Sequence, residues 1–379
     1  MIERPVWAEI NLDAYHRNVS QIVKGLDASA RLCAVVKADA YGHGIVPVAH
    51  EALRAGASCL GVALTVEGIM LRRAGFTGPV LVMNLTPPEL APAAVACGLE
   101  LAAADIPGIE ALSKAAAALG RTVPVHLKID TGMGRIGIRP EEALTYARLI
   151  SESEGLRLEG LFSHFADADN GDLSYTRQQL KTFLAACSAI ERSGIQIPCK
   201  HIANSAGFLN LRESHLDMVR TGILTYGFDQ RPQAAMAPAR PGDSPEFSPV
   251  MTLKAKASFV KIMKSGESVS YGRRWTAGEG CRIATVPLGY ADGYPRSFSN
   301  KGIVGVRGRN VPVRGTVCMD QFMIDVSQFE DFQAGEEIIV FGKNGPAVDE
   351  LVPLIDTNNY EIVTRIGKRV PRVYVRDVP

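Results

Sequence analysis

A chain of 379 residues is longer than one ordinary core fills, so two domains are expected. Its 41 basic and 40 acidic side chains leave a formal net charge of +1, which offers no general attraction to nucleic acid or an anionic membrane. With 46% hydrophobic and 21% charged residues, and no apolar run near the roughly 18 residues a bilayer span needs, the composition is that of a soluble globular protein.

The opening MIERPVWAEI places Glu3 and Arg4 where a secretory leader would carry apolar residues, so a cytoplasmic location is expected. After an apolar stretch from Val6 to Ile10, residues 12–23 set Leu12, Tyr15, Val19, Ile22 and Val23 on one helical face. Short apolar runs then read as strands at 32–36, 59–63, 79–83, 99–103, 123–129, 158–164, 197–202 and 216–220. Helical stretches separate them, among them 45–55, 107–119, 140–153 and 175–193. Eight strand-sized runs alternating with helix-sized segments favour a (β/α)8 barrel over a doubly wound sheet.

Residues 229–249 carry five prolines and little apolar periodicity, the mark of a linker or long loop. Beyond them the pattern turns to β: short runs at 251–262, 268–271, 282–287, 302–306, 309–317, 337–341 and 372–376, with one helical stretch at 348–355. The expected α/β architecture is a barrel over 12–235 followed by a mainly-β domain over 236–379, with residues 1–11 as a strand that can pack with the second domain.

In a barrel of this kind the chemistry sits at the carboxyl ends of the strands. Lys37 follows LCAVV, Asp130 and the loop to Arg135 follow VHLKI, and His164 ends LEGLFSH. Asn204 and Ser205 follow CKHI, and Arg220 closes LDMVR. A lysine there can simply extend its charge to water, but the glycines around His43 allow a ligand close to the backbone. Partial burial would disfavour its ammonium form, and a neutral amine can form a Schiff base.

The motif AVVKADAYGHG resembles the cofactor-lysine signature of the alanine racemase family. The likeness continues in order through KIDTGMGRIG, SHFADAD, HIANSAG, VRTGI, SYGRRW, LGYADGYPR, VCMDQ and TNNYE. It implies that Lys37 holds pyridoxal 5'-phosphate and acts as one of two bases interconverting L- and D-alanine, for cell-wall synthesis or for alanine breakdown. Tyr271 would be the other base, delivered by the second subunit of a homodimer and tuned through His164 and Arg220. Two bases suit a reaction that removes a proton from one face of a carbon and returns one to the other.

The resemblance further places Arg220 at the pyridine nitrogen. It gives the phosphate to Tyr41, Ser205, Tyr360 and the amides of Gly222 and Ile223. Arg135 and, from the second subunit, the Met319 amide would bind the substrate carboxylate, and Lys128 matches a lysine that some members carbamylate. Tyr290 and Asp320 fall at positions lining the entry and the dimer face. Taken singly, several of these residues have plain readings: Arg220 a surface ion pair, Ser205 a helix cap, Tyr271 a strand tyrosine with a wet hydroxyl.

The same residues admit rival readings. GMGRIG at 132–137 satisfies GxGxxG, and Glu154 or Glu159 stands roughly 20 residues on, as a nicotinamide site asks. The motif lies deep in the chain, however, and contains an arginine better suited to a carboxylate. Barrel-type decarboxylases of basic amino acids would carry a catalytic cysteine motif that is missing here. A lone-barrel carrier protein would lack the second domain. Racemases of serine or of broader specificity remain as alternatives. Seven scattered cysteines without CxxC, and seven histidines without HExxH, oppose a disulfide framework or a metal centre.

Overall fold

The computed structural model describes residues 4–231 and 246–377. Most of the proline-rich stretch at 229–249 therefore lies outside the described residues. The chain divides into two compact units, one of His16–Ala40 and Ile45–Phe247, the other of Met1–Tyr15, Tyr41–Gly44 and Ser248–Pro379.

The first unit is an eight-stranded parallel sheet wound into a barrel. After β1 (Val6–Asn11), which belongs to the second unit, its strands are β2 (Arg31–Val35), β3 (Cys59–Val62), β4 (Val80–Leu85) and β5 (Glu100–Ala103). They continue as β6 (Val123–Lys128), β7 (Leu156–Phe162), β8 (Cys199–His201) and β9 (Met218–Thr221). From β3 to β8 each strand pairs in parallel with the one before it, and β9 pairs in parallel with β2. The Asp217 amide to the Lys200 carbonyl (3.1 Å) and the Arg220 amide to the Ala203 carbonyl (3.0 Å) bring β9 onto β8 and finish the ring. These strands read as continuous apolar runs because both faces of a barrel wall are covered, by helices outside and by the packed interior within. The helices follow the apolar periodicity: Leu12–Gly25, Ile45–Arg54, Ile106–Leu119, Ala143–Glu152 and Ser174–Arg192.

The second unit is a nine-stranded sheet in the order β11-β12-β15-β14-β13-β16-β10-β1-β17. Its later strands are β10 (Met251–Lys256), β11 (Phe259–Ile262), β12 (Arg282–Val286), β13 (Ile303–Val306) and β14 (Arg309–Arg314). They end with β15 (Phe322–Asp325), β16 (Glu337–Phe341) and β17 (Arg372–Val375). The amino-terminal strand sits inside this sheet, antiparallel to β10 and parallel to β17. Alternation of buried and partly exposed side chains in β15 and over the last four residues of β14 matches a sheet with one covered face.

Three details correct the sequence reading. The run at 251–262 is two strands, β10 and β11, parted at Ala257 and Ser258. The run at 268–271 is not a strand: Ser268 makes an isolated bridge to Thr276, and Tyr271–Arg273 form a single 3-10 turn. The run at 309–317 stops at Arg314, where Gly315 takes a positive φ of 75°. Among the described residues no helix is long and apolar enough to cross a membrane.

Candidate active site

Lys37 stands just past the carboxyl end of β2. The four residues after it, Ala38 to Tyr41, have φ between 52° and 53°, a turn of left-handed helix built from residues that all carry a Cβ. Left-handed backbone costs roughly 1–2 kcal/mol per such residue, so surrounding contacts must hold this turn. Glu67, three residues into the helix Thr65–Arg73, supplies one of them. Its Oε1 accepts the Ala38 amide at 2.6 Å, and its Oε2 accepts the amides of Ala63 (2.9 Å) and Leu64 (3.0 Å). The Asp39 carboxylate accepts the Ile45 amide at 2.8 Å. Glu67 thus ties the lysine turn to the start of a neighbouring helix, a role that nothing in its spacing announces.

Burial and the charge of Arg135 push the Lys37 ammonium below its ordinary pKa, with Glu67 pulling the other way. Lys128, at the end of β6, goes further: burial, then Arg220 and Arg135, bring it to about 7. Its Nζ rests 4.1 Å from the centre of the Phe162 ring.

Arg220 lies in β9 and is buried. Its Nη1 donates to His201 Nδ1 at 2.7 Å, and its Nη2 donates to the carbonyls of Ser163 (2.7 Å) and Ile202 (3.1 Å). Burial lowers the guanidinium only to about 10, so it stays charged near neutrality. His164 Nδ1 stands 3.5 Å from Nη2. Burial and the Arg220 charge push both His164 and His201 well below the usual imidazole range, and both are neutral. The plain reading of Arg220 as a surface ion pair is therefore excluded. Its partners are two imidazoles and two carbonyls, none of them an anion.

Ser205 is not the cap of its helix. Asn204 is, accepting the Gly207 amide at 2.8 Å. This frees the buried Ser205 hydroxyl to accept from the amides of Gly222 (3.0 Å) and Leu224 (3.3 Å). Gly222 and Ile223 open a short 3-10 turn there, with backbone donors gathered at a hydroxyl.

The loop after β6 decides the GMGRIG question. Asp130 Oδ1 accepts the amides of Gly132 (2.9 Å), Met133 (2.9 Å) and Gly134 (3.1 Å). The donors that a dinucleotide phosphate would need are already bound to a carboxylate of the chain. Gly137 has φ +135°, and a Cβ there would fall 2.5 Å from the Asp130 amide. The glycines let the loop fold back so that Ile138 bridges Ile129, leaving Arg135 exposed at its tip. The nicotinamide reading fails on this geometry.

The second unit carries the remaining candidates. The rings of Tyr41 and Tyr360 lie 6.1 Å apart at 47°. Tyr271 is 73% exposed, yet the backbone beneath it is fixed. The Ser270 hydroxyl donates to the Thr316 carbonyl (2.6 Å), and the Thr316 hydroxyl donates to the Tyr271 carbonyl (2.8 Å). Met319, also exposed, follows Cys318, whose sulfur is 3.3 Å from the Ser270 hydroxyl, so both candidates hang from one braced corner. The exposed Tyr290 shares that corner, its amide donating to the Cys318 carbonyl (3.1 Å), and Asp320 pairs with Arg369 (2.6 Å). Among the described residues no group of His, Cys, Asp or Glu could hold a metal ion.

A parallel barrel with a lysine, two basic side chains and a hydroxyl–amide cradle at its strand ends, joined to a β-domain presenting a rigid tyrosine, defines a barrel-type amino-acid enzyme. Two family models match in succession, "Alanine racemase, N-terminal domain" over residues 10–230 and "Alanine racemase, C-terminal domain" over 250–374. The chain is 46% identical to an alanine racemase of Desulfovibrio desulfuricans, over 98% of this chain and 99% of the relative. Among solved structures, an alanine racemase of Clostridium difficile superposes with a TM-score of 0.91 at 35% identity, covering 100% of this chain and 97% of that one. The alanine racemase of Bacillus anthracis with bound L-Ala-P gives a TM-score of 0.91 at 35% identity, with 100% and 96% covered. The chain belongs to the alanine racemase family.

Proposed function

We propose that the protein interconverts L- and D-alanine with pyridoxal 5'-phosphate, using Lys37 and Tyr271 as bases on opposite faces of the substrate α-carbon. The observation that carries this reading is Lys37 itself: a half-buried amine with a depressed pKa, held at a strand end by a strained turn that Glu67 secures. Full-length membership of the alanine racemase family supports alanine as substrate. So does the L-Ala-P named with the Bacillus anthracis relative.

The donor set suits the cofactor. An amine with a disfavoured ammonium can hold an aldehyde carbon, and the Ser205 hydroxyl with the Gly222 and Ile223 amides suits a phosphate, to which Tyr41 and Tyr360 would add phenolic donors. When bound, pyridoxal phosphate supplies the electron sink that makes the α-proton of an amino acid removable. Arg220 would face the ring nitrogen. A guanidinium with no acceptor and a pKa near 10 does not give up or take that proton, which restrains the sink and disfavours transamination and decarboxylation.

Arg135, exposed at the tip of its loop, would take the substrate carboxylate as a two-pronged donor, joined by the Met319 amide of the second subunit. Lys128, with a pKa of about 7, is half amine at neutral pH and can react with carbon dioxide to give a carbamate and a proton. That carbamate would be an anion facing Arg135. Tyr271 would come from the partner subunit of a homodimer, with His164 and Arg220 lowering the cost of its deprotonation. Phe259 lines the same surface cleft as Tyr271 and is more than half exposed, an apolar side chain of the kind subunit interfaces cover. Activity within the reducing cytoplasm agrees with seven cysteines that form no disulfide among the described residues.

Tyr271→Ala tests the division of labour. Exchange of the α-proton of L-alanine with solvent deuterium should fall far more than exchange from D-alanine. Equal losses from both enantiomers would refute the two-base assignment.

A further inference from the structure

The mechanism above uses Arg220 but not what lies beneath it. From His201 a line of buried polar groups runs down the inside of the barrel, where such folds normally pack aliphatic side chains. His201 Nε2 meets His126 Nδ1 at 2.9 Å, with the two rings edge to face at 77°. His126 Nε2 in turn meets Glu100 Oε2 at 3.2 Å. Both imidazoles are almost wholly buried, whereas Glu100 begins β5 at the opposite end of the barrel. There it lines a small cleft of ≈ 20 Å³ together with Arg31, His126 and Glu159.

We infer that Glu100 and His126 are positioning residues that, through His201, fix the direction of every hydrogen bond leading to Arg220. The chemistry of the donors leaves one arrangement. A guanidinium only donates, so His201 Nδ1 must be the bare, accepting nitrogen. His201 is neutral, so its proton sits on Nε2 and is given to His126 Nδ1. His126 then carries its proton on Nε2 and gives it to the Glu100 carboxylate. An imidazolium at His126 would put two protons between the rings or force one onto His201 Nδ1, against Arg220. The chain therefore points one way, from the guanidinium at the strand ends to a carboxylate at the other mouth.

Two further features support the reading. Burial works against the Glu100 carboxylate, yet the hydrogen bond from His126, the largest influence in the other direction, holds its pKa below the usual range. It is thus an anion, the only acceptor in the line that gives no proton onward. The space for the two rings is also made by the sequence. Gly160 on β7 lies between β6 and β8, and a Cβ there would fall 2.6 Å from His126 Nδ1, the atom that receives the His201 proton. On the far side Phe162 stacks flat on His201, with ring centres 5.0 Å apart at 4°. The imidazole is clamped by a ring on one face and a hydrogen bond at each nitrogen. Loss of the lower partners would leave His201 free to turn over and present a proton to Arg220.

The inference rests on Arg220 acting as proposed above, but its test reads protons rather than turnover. Neutron diffraction from deuterium-exchanged holoenzyme should show deuterons on Nε2 of both His201 and His126, and none on either Nδ1. A deuteron on His201 Nδ1, or two on His126, overturns the assignment. In solution, Glu100→Leu should lower kcat about tenfold with KM changed less than about twofold, the size expected when an outer partner stops orienting an inner one. Glu100→Gln, which keeps an accepting oxygen, should restore most of that loss. Equal behaviour of the two variants, or no loss in either, contradicts the inference. A wild type that fails to racemise alanine would defeat the proposed function, and the deuteron positions would still be read independently.

Discussion

Removing Glu67 should loosen the turn on which Lys37 depends. Four consecutive residues in the left-handed region represent about 4–8 kcal/mol of unfavourable backbone, so the turn persists only because other contacts hold it. Glu67 makes three charge-assisted bonds to backbone amides, each worth about 1.5–3 kcal/mol when the partner is charged. In Glu67→Ala the amides of Ala63 and Leu64, at a half-exposed helix start, recover water. The bond to Ala38 is the one whose loss falls on the strained segment, and the net cost is about 2–3 kcal/mol. Differential scanning calorimetry should show the barrel melting about 4–12 °C lower. Steady-state kinetics should show kcat/KM down by about thirtyfold to a hundred-and-sixtyfold, the factor those energies correspond to. Glu67→Gln, which keeps one accepting oxygen, should fall between. A Glu67→Ala protein that melts within about 1 °C of wild type and turns over normally would refute the view that this carboxylate sustains the turn.

Lys128 gives a pH test with a definite sign. Its folded pKa of about 7 lies below the ordinary 10.5, so between those values the unfolded chain binds the extra proton and stability from this group rises with pH. Below pH 7 the charge is buried in the folded state at a cost on the order of 5 kcal/mol. Lys128→Met, in buffer free of carbon dioxide, should therefore raise Tm at pH 6 and show a shrinking advantage by pH 9. An advantage that grows with pH would contradict the assignment. The dimer proposal is checked by sedimentation with activity measured at the same dilutions. Turnover per chain should fall as the dimer dissociates, and a fully active monomer would end the claim that Tyr271 comes from a partner.

The barrel was legible because each wall strand is an unbroken apolar run bounded by a helix-sized segment, and the rule that chemistry gathers at strand ends then pointed to Lys37, Arg135, His164, Ser205 and Arg220. What escaped was set by other forces. The helix Thr65–Arg73 leaves Val66 and Met70 exposed and shows weak periodicity, so Glu67 passed unremarked within it. The left-handed turn uses ordinary residues, Ala-Asp-Ala-Tyr, and only the tertiary contacts impose its sign. β15 is only four residues long, too short a run to stand out between 309–317 and 337–341. SVSY at 268–271 alternates like a strand but is bent by Ser270, whose φ is 66°. His126 had a signal that could have been used: it is a polar residue between Val125 and Leu127 in a buried strand, where burial demands a partner, whereas His201 follows Lys200 in a three-residue strand and stood out less.

The central claim is tested most directly by the chirality of alanine after incubation with the purified protein and pyridoxal phosphate. Starting from either enantiomer, the account predicts convergence on equal amounts of L- and D-alanine, and no conversion in either direction by Lys37→Ala. Failure of the wild type to convert alanine, clear preference for serine or a basic amino acid, or normal turnover by Lys37→Ala would contradict it.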